Sequence, residues 1–521
     1  MPGSAQVRAR PDRVPGSEGW PGVRAEGPAT WWLARSGLVL AIAVVLVVIA
    51  LRWDRPLAGH HLFRQAHVAA NVETFVASGL SLVPRTYNFD APFAMFDFPA
   101  YEVLVAALCR LGRLPALPTA RVVSGLLLLA LVVVLARVLA EVGIRGSRAS
   151  CALLFVAASP LVLFYSTSPI PDGLALLFSA LSLWAFVRWD AAGGAASYLA
   201  LAGAGALAAL VKSPVYLPVF LAVLWVRFRR HGLRGLVDPA VVAYVAFVGA
   251  TVVWFKLFSN AVNGQAEFLT GWEEAQYFGP LRDRLNPAYW WPVVVGLGTL
   301  ALNPLTFALV PVGAMRLARR GRGRLSVVVG LLVGSAITLG VFFSRCRVHS
   351  YYLLPFVFPL AIASAVGLAA VRGWFRRHGS RRVAAWLPAA AVALTLVVCG
   401  SQLREMSTPL PWIESRGRWI QERTDPRDFV VYVVTGDEGN WNPEYLYFAK
   451  RDGYNLWRGR LTRQDLATLY VRFAATHRAL YVFSADAEAD AALDALGAPE
   501  VAADRRRRLY RLEPGWIWRR G

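Results

Sequence analysis

The chain has 521 residues, of which 56% are hydrophobic, and its formal net charge at pH 7 is +22. This composition excludes an ordinary soluble globular domain and is typical of a protein that crosses the membrane many times. It also argues against a nucleic-acid partner, because the arginines sit in short loops beside apolar runs, where they orient helices and contact membrane lipids. The four cysteines show no spacing typical of disulfides or metal sites.

The N-terminal residues 1–30 are rich in Arg, Pro and Gly, which predicts a disordered basic tail. The apolar run 31–51 follows. It is long for the core of a signal peptide and has no clear cleavage site. We therefore expect an uncleaved first membrane helix with the N-terminus in the cytoplasm.

Apolar runs recur from residue 31 to residue 400, and every second gap between them is rich in Arg. The positive-inside rule places these gaps in the cytoplasm. After the first run, the predicted spans are 119–141, 149–167, a return to 188, 196–211, a return to 227, 241–258, a return to 316, 325–343, a return to 372, and 384–400. Since roughly 20 apolar residues cross a bilayer, about eleven helices fit in the membrane domain 31–400.

The apolar stretch 98–111 is ambiguous, since it could form a short helix. If it crossed the membrane, every later Arg cluster would move to the outer face, against the positive-inside bias. We therefore predict an interfacial or re-entrant helix inside a first outer loop that covers 52–118.

The composition becomes polar after residue 400. Strand-like runs at 429–434 and 479–483 alternate with helix-like segments at 443–450 and 463–475, which predicts a small α/β domain. An odd number of spans places this domain, 401–521, on the extracytoplasmic side.

The gaps that lack Arg clusters carry a different set of polar residues, predicted to collect on the outer face: His60, His61, Arg64, Gln65, His67, Asp97, Asp172, Lys212 and His349. Ionisable groups gathered at one rim of a membrane protein indicate chemistry or the binding of a polar ligand. A carboxylate or a histidine can act as a general base, and Lys, Arg or His can stabilise charge on a phosphate.

These residues fall in short motifs. Residues 59–67 read GHHLFRQAH, 97–101 read DFPAY, 171–175 read PDGLA, 210–214 read LVKSP and 349–355 read HSYYLLP. In this order they resemble motifs of the GT-C glycosyltransferases that use polyprenyl-phosphate sugars. The similarity is greatest to the family 39 type, which includes protein O-mannosyltransferases and aminoarabinose-lipid A transferases.

The first motif departs from the family pattern. In much of the family it begins Asp-Glu, and that Asp is the proposed base, whereas this chain has Arg64 and Gln65 there. A subgroup reads Arg-Gln-Ala-Asp, and His67 stands where that Asp would be. The second motif is similar to the family's Lys-Pro-Pro-Leu-Tyr or Glu-Phe-Pro-Leu-Tyr, with Asp97 first.

The resemblance implies a polytopic helical GT-C protein that moves a sugar from a polyprenyl-phosphate donor to a lipid, glycan or protein acceptor. The catalytic candidates are Asp97, Asp172 and His67. The candidates for binding the donor phosphate are Arg64, Lys212, His349, Arg345 and Arg347. The resemblance implies that no metal is required, although Asp97 and Asp172 are ligand types that a divalent ion could use.

Each candidate also has an ordinary structural explanation. Asp97 and Asp172 precede helices and could be capping residues. His67 could be a packed, hydrogen-bonded histidine, and the arginines could anchor the chain at the membrane surface. Two other functions stay open, a transporter or flippase of lipid-linked sugars and a non-catalytic scaffold.

Overall fold

The computed structural model describes residues 28–87, 97–263, 278–320, 323–435 and 443–517. Residues 1–27 of the predicted tail therefore lie outside the described part. The helices are α1 (Pro28–Arg52), α2 (Leu62–Ser78), α3 (Ala100–Gly112), α4 (Ala116–Glu141), α5 (Gly146–Ala157), α6 (Pro160–Tyr165), α7 (Asp172–Ala192), α8 (Ala195–His231), α9 (Leu233–Leu236), α10 (Pro239–Asn263), α11 (Leu281–Leu285), α12 (Pro287–Gly296), α13 (Pro304–Ala308), α14 (Val310–Arg320), α15 (Ser326–Val341), α16 (Phe343–Val348), α17 (Leu354–Arg377), α18 (Arg381–Met406), α19 (Pro411–Gln421), α20 (Glu444–Ala449), α21 (Arg463–Phe473), α22 (Ala487–Ala495) and α23 (Pro514–Ile517).

Seven helical segments in the described residues are long and apolar enough to cross a membrane. They are Ala116–Glu141, Asp172–Ala192, Ala195–His231, Pro239–Val262, Gly323–Val341, Ser350–Arg377 and Arg381–Gln421. Two shorter apolar helices, Ser36–Arg52 and Gly146–Ala157, accompany them. The chain is a multi-pass membrane protein, while the number of eleven spans stays a prediction.

Helix α8 consists of two arms that reverse direction at Lys212. The backbone of Lys212 leaves the helical region, with φ −162° and ψ 92°, and Pro214 follows. Proline cannot donate its hydrogen bond and clashes with the preceding turn, so it breaks a helix at this point. Lys212 pairs with Asp172 at the start of α7, whereas Arg230 pairs with Asp190 near the end of α7. The two arms therefore run antiparallel to each other beside α7, as the predicted spans on either side of Lys212 require.

The span predicted to return to residue 316 is broken. Segments Pro287–Ala301 and Pro304–Arg319 meet at an angle of 116° and make an eighth span if they are counted together. Asn303 caps the second segment through a reciprocal arrangement with Thr306, and its amide donates a hydrogen bond to Thr395 in α18. These bonds satisfy the backbone and side-chain groups that the break exposes inside the bundle.

The ambiguous stretch 98–111 forms α3, which is not among the segments able to span the membrane. The buried face of α3, which includes Tyr101, Val105 and Cys109, packs against α2 and α4. The place of α3 in a first outer loop stays a prediction.

The C-terminal region forms a five-stranded sheet with strand order β2-β1-β3-β5-β4. The strands are β1 (Phe429–Val434), β2 (Gly453–Trp457), β3 (Leu480–Ser484), β4 (Glu500–Ala503) and β5 (Arg508–Leu512). Strand β1 is parallel to β2 and β3, and β5 is antiparallel to both β3 and β4. The predicted small α/β domain is confirmed, although α18 continues to Met406, past the predicted boundary at 400.

The C-terminal domain packs against α2. Leu62, Ala66 and Ala69 of α2 share a hydrophobic core with Trp419 and Leu446. Beside this core, Lys450 donates hydrogen bonds to the carboxylate of Glu73 at 2.6 and 2.7 Å. The opposite face of α2 is thereby held toward the membrane helices.

A close crossing of α14 and α17 generates a testable prediction. A Cβ added at Gly313 would lie 1.7 Å from the carbonyl oxygen of Ala363, so Gly313→Ala must force the two helices apart. We expect a cost of about 1–3 kcal/mol and a lower midpoint of thermal unfolding in detergent. Gly340→Ala is the matched control, because no atom lies within 4 Å of its added Cβ. Equal midpoints for the two variants would contradict the crossing.

Candidate active site

The centre of the site is a buried ion pair between α7 and the reversal of α8. Nζ of Lys212 lies 2.6 Å from Oδ1 of Asp172, and their side chains are 3% and 1% exposed. Pro171, not Asp172, is the residue before α7, and no side-chain capping bond is present there. The capping explanation for Asp172 is therefore wrong. Oδ2 of Asp172 is buried and has no hydrogen-bond partner among the described residues, and an orphaned buried oxygen calls for an explanation other than packing.

The aromatic motif after α16 covers this ion pair. Nζ of Lys212 lies 4.2 Å from the ring centroid of Tyr351 and 5.3 Å from that of Tyr352. The ring of His349 stacks on Tyr351 at a centroid distance of 5.2 Å. A cation over an aromatic face is stabilised by the ring quadrupole. Asp172, Lys212 and the motif 349–355 therefore meet in one place.

Arg64 and Asp97 form a second ion pair, which joins α2 to the segment before α3. Both side chains are largely buried, at 9% and 13% exposed. Pro99 precedes α3 and no side-chain capping bond is present there, so Asp97 does not cap the helix. The charge of Arg64 acts on both Lys212 and His349, so the two pairs belong to one electrostatic cluster.

Three histidines lie beside the cluster. Nε2 of His60 lies 2.9 Å from the hydroxyl of Ser350, which also contacts Tyr165 at 2.7 Å and His61 at 3.4 Å. Burial lowers the pKa of His60 to about 4 and that of His349 to about 3. The pKa of His61 is also well below its ordinary value, because of burial and of its histidine neighbours. These rings are therefore neutral at pH 7.

A neutral His349 can still bind an anion through an N–H group. Nη1 of Arg345 lies 3.4 Å from Nε2 of His349, which places the hydrogen of the ring on Nδ1 when arginine is the donor. Nδ1 is buried and has no partner among the described residues. We therefore expect His349 to act as a hydrogen-bond donor and not as a charge.

Two further predicted residues are Arg347 and His67. The guanidinium of Arg347 stacks over Tyr289, 4.3 Å from the ring centroid, so its neighbour Arg345 is the arginine beside His349. His67 lies one helical turn after Arg64 on α2 and is 6% exposed. Its role as a base stays a prediction.

Sequence reasoning missed Glu102, which directly follows the motif 97–101 and lies in the first turn of α3. Glu102 is 4% exposed, and its side chain hydrogen-bonds Asn71 of α2. Burial raises the pKa of Glu102 to about 7, although Arg64 acts in the opposite direction. The signal was present, because Glu102 is the one acidic residue in the apolar stretch 98–111.

The arrangement combines carboxylates with cations in a buried setting at one end of the helix bundle. Such a site can hold a phosphate through Arg and Lys and remove a proton with a carboxylate. In the described part of the chain, no group of three or more His, Cys, Asp or Glu residues is placed to hold a metal ion.

Comparison with solved structures identifies the fold. ArnT from Cupriavidus metallidurans bound to undecaprenyl phosphate is 16% identical, with a TM-score of 0.61 over 94% of this chain and 99% of that chain. The Archaeoglobus fulgidus oligosaccharyltransferase in complex with Zn and sulfate is 14% identical, with a TM-score of 0.57 over 86% of this chain and 67% of that one. Arabinofuranosyltransferase AftD from Mycobacteria is 15% identical, with a TM-score of 0.55 over 92% and 40%.

All three are glycosyltransferases of the GT-C fold, and the present chain has the same fold. No family model and no curated protein matches the sequence. The identities are too low to carry the activity across, so the fold alone follows from this comparison.

The buried carboxyl group of Glu102 predicts a pH dependence of stability. Its pKa is raised from 4.5 to about 7 in the folded chain, so the folded state holds a proton that the unfolded state has lost. Stability therefore falls as pH rises from 4.5 to 7, by roughly 3 kcal/mol. Glu102→Gln removes this loss.

We expect the unfolding midpoint of Glu102→Gln to exceed that of the wild type by more at pH 8 than at pH 5, measured in the same detergent. All other carboxyl groups titrate in both proteins and cancel in the difference. Parallel midpoint curves across this pH range would contradict the raised pKa of Glu102.

Proposed function

We propose that this protein is a membrane glycosyltransferase that takes a sugar from a polyprenyl-phosphate donor. The observation that carries the proposal is the convergence of two buried cation–carboxylate pairs, Arg64 with Asp97 and Lys212 with Asp172, at one end of a GT-C fold. ArnT, which shares this fold, is bound to undecaprenyl phosphate in its structure, and this supports the donor class.

The cations serve the donor phosphate in this proposal. Arg64 and Lys212 share one electrostatic cluster, and a phosphate between them would be bound by charge-assisted hydrogen bonds. The N–H group of His349 adds a neutral donor. These groups also stabilise the negative charge that develops on the phosphate as the bond to the sugar breaks. No metal is assigned to this role.

The carboxylates serve the acceptor. A phosphate that binds Arg64 and Lys212 competes with Asp97 and Asp172 for the same cations, and a carboxylate released from its ion pair is a stronger base. Asp97 or Asp172 then takes the proton of the acceptor hydroxyl while the hydroxyl oxygen attacks the sugar. Donor binding would in this way activate the base at the correct step.

The acceptor is a lipid, a glycan or a protein, and the reaction takes place on the extracytoplasmic face. The orientation rests on the Arg-rich ends of the helices, which lie at the other end of the bundle from the site. The C-terminal domain packs on α2, the helix that carries Arg64, and would cover the acceptor side. We expect the ionisable groups to lie at one rim and not at the midplane, because Asp172 is the first residue of α7 and Lys212 stands at the reversal of α8. This position favours an enzyme over a transporter.

The activity test compares two carboxylates on the same helix. Asp172 and Asp190 both lie on α7 and both pair with a cation of α8, but only Asp172 belongs to the cluster. We expect Asp172→Asn to lower sugar transfer by about 10²–10⁴-fold, whereas Asp190→Asn keeps it. The assay uses purified full-length protein, radiolabelled polyprenyl-phosphate sugars and a membrane extract that supplies acceptors.

Asp97→Asn and His67→Ala are measured in the same assay to locate the base. Thermal unfolding of every variant reports whether it is folded. Transfer that survives in folded Asp97→Asn and Asp172→Asn would refute the acidic centre. Absence of transfer from every donor, with saturable binding of polyprenyl phosphate, would favour the flippase or scaffold function.

Donor binding tests the cationic half of the site. We expect Lys212→Gln and Arg64→Gln each to weaken the binding of undecaprenyl phosphate about tenfold or more, because each removes a charge-assisted contact. Arg347→Gln is the matched control, since this arginine stacks on Tyr289. Equal dissociation constants for all three variants, measured by quenching of intrinsic tryptophan fluorescence, would remove Arg64 and Lys212 from the phosphate site.

A further inference from the structure

A cavity lined by arginines lies at the other end of α17 from the candidate active site. Helix α17 begins beside the candidate active site and ends at Arg377, and the cavity is lined by its last part, by the start of α5 and by α18. Its volume is about 150 Å³, several times the space that one water molecule needs.

The cavity gathers positive charge from two helices. Arg148 lies in the first turn of α5, and Arg372 and Arg376 lie four residues apart, on one face of α17. None of the described residues that line the cavity is acidic. Three like charges around one cavity repel each other, so an anion between them would lower the energy of the folded chain.

The backbone adds to this field. Helix α5 has 12 residues, and Arg145 before it makes no side-chain capping bond to its first N–H groups. Ser147 and Arg148 of this first turn line the cavity. The positive end of the helix dipole therefore points to the same place as the guanidinium groups. The guanidinium group of Arg372 is held in position, because its Nε donates a 3.0 Å hydrogen bond to the carbonyl oxygen of Ala384.

The remaining wall is apolar and indicates where the rest of a ligand would lie. Ala365, Leu368 and Pro388 line the cavity. Two residues before Pro388, Trp386 is 73% exposed on the outside of the bundle. The apolar part of a ligand whose phosphate binds in the cavity would thus lie along an apolar surface that faces lipid chains.

We propose that this cavity binds a phosphate ester, and that its source is the head group of an anionic membrane lipid. Arginine forks bind phosphate oxygens in pairs, and basic pockets between membrane helices suit anionic head groups. The site is separate from the proposed transferase centre and does not depend on it.

The test measures lipid retention by native mass spectrometry of the full-length protein. The protein is equilibrated with equal amounts of dioleoyl-phosphatidylglycerol and dioleoyl-phosphatidylcholine. We expect the wild type to bind phosphatidylglycerol about tenfold or more tightly than phosphatidylcholine, and Arg148→Gln/Arg376→Gln to lose this preference. Arg372 is left intact because it also holds α18.

Arg377→Gln is the matched control, because Arg377 is an exposed neighbour of Arg376 that does not line the cavity. Retention of the preference in the double variant, or its equal loss in Arg377→Gln, would overturn the proposal. A separate arm adds inorganic phosphate. Displacement of the lipid by phosphate at equal concentration would overturn the lipid as the source. The readout is binding, so its failure leaves the proposed transferase function standing.

Discussion

The arrangement of the candidate site depends on the buried ion pair between Lys212 and Asp172. It fixes the start of α7 to the reversal of α8, and a second pair of the same kind, Asp190 with Arg230, fixes the other end of α7. Burying a charge inside a membrane bundle is costly, and replacing such a pair by apolar residues often costs nothing. The pair at Lys212 is therefore better explained by what its charges do than by the stability that they add.

Helix α2 connects the electrostatic cluster to the C-terminal domain. One side of α2 carries Arg64 to the cluster, while Ala66 and Ala69 pack in the core of the C-terminal domain. Glu73 lies further along α2. It pairs with Lys450 and accepts hydrogen bonds from Tyr87 and Tyr447. A shift of the C-terminal domain would therefore move Arg64 and change its contact with Asp97.

The sequence was sufficient for the class of fold, because charge bias and apolar length act locally and can be counted along the chain. It also placed Lys212 between two spans, since the Arg-rich gap that begins at Arg227 requires the chain to return to the cytoplasmic side. It could not predict which cation meets which carboxylate, because that depends on how distant helices pack. For the same reason, Glu102 was missed and the 116° break near Asn303 was expected to be a plain span.

The ion pair of Arg64 and Asp97 joins two positions at which this chain departs from the motifs it resembles. The first motif commonly begins with Asp where this chain has Arg64, and one form of the second motif begins with Lys where this chain has Asp97. Since Arg64 and Asp97 contact each other, the two departures amount to one exchange of charge across a single contact. The net charge of the contact is unchanged, whereas the direction of its dipole is reversed. The carboxylate, however, has moved from α2 to the segment before α3, and a base drawn from this pair must act from there.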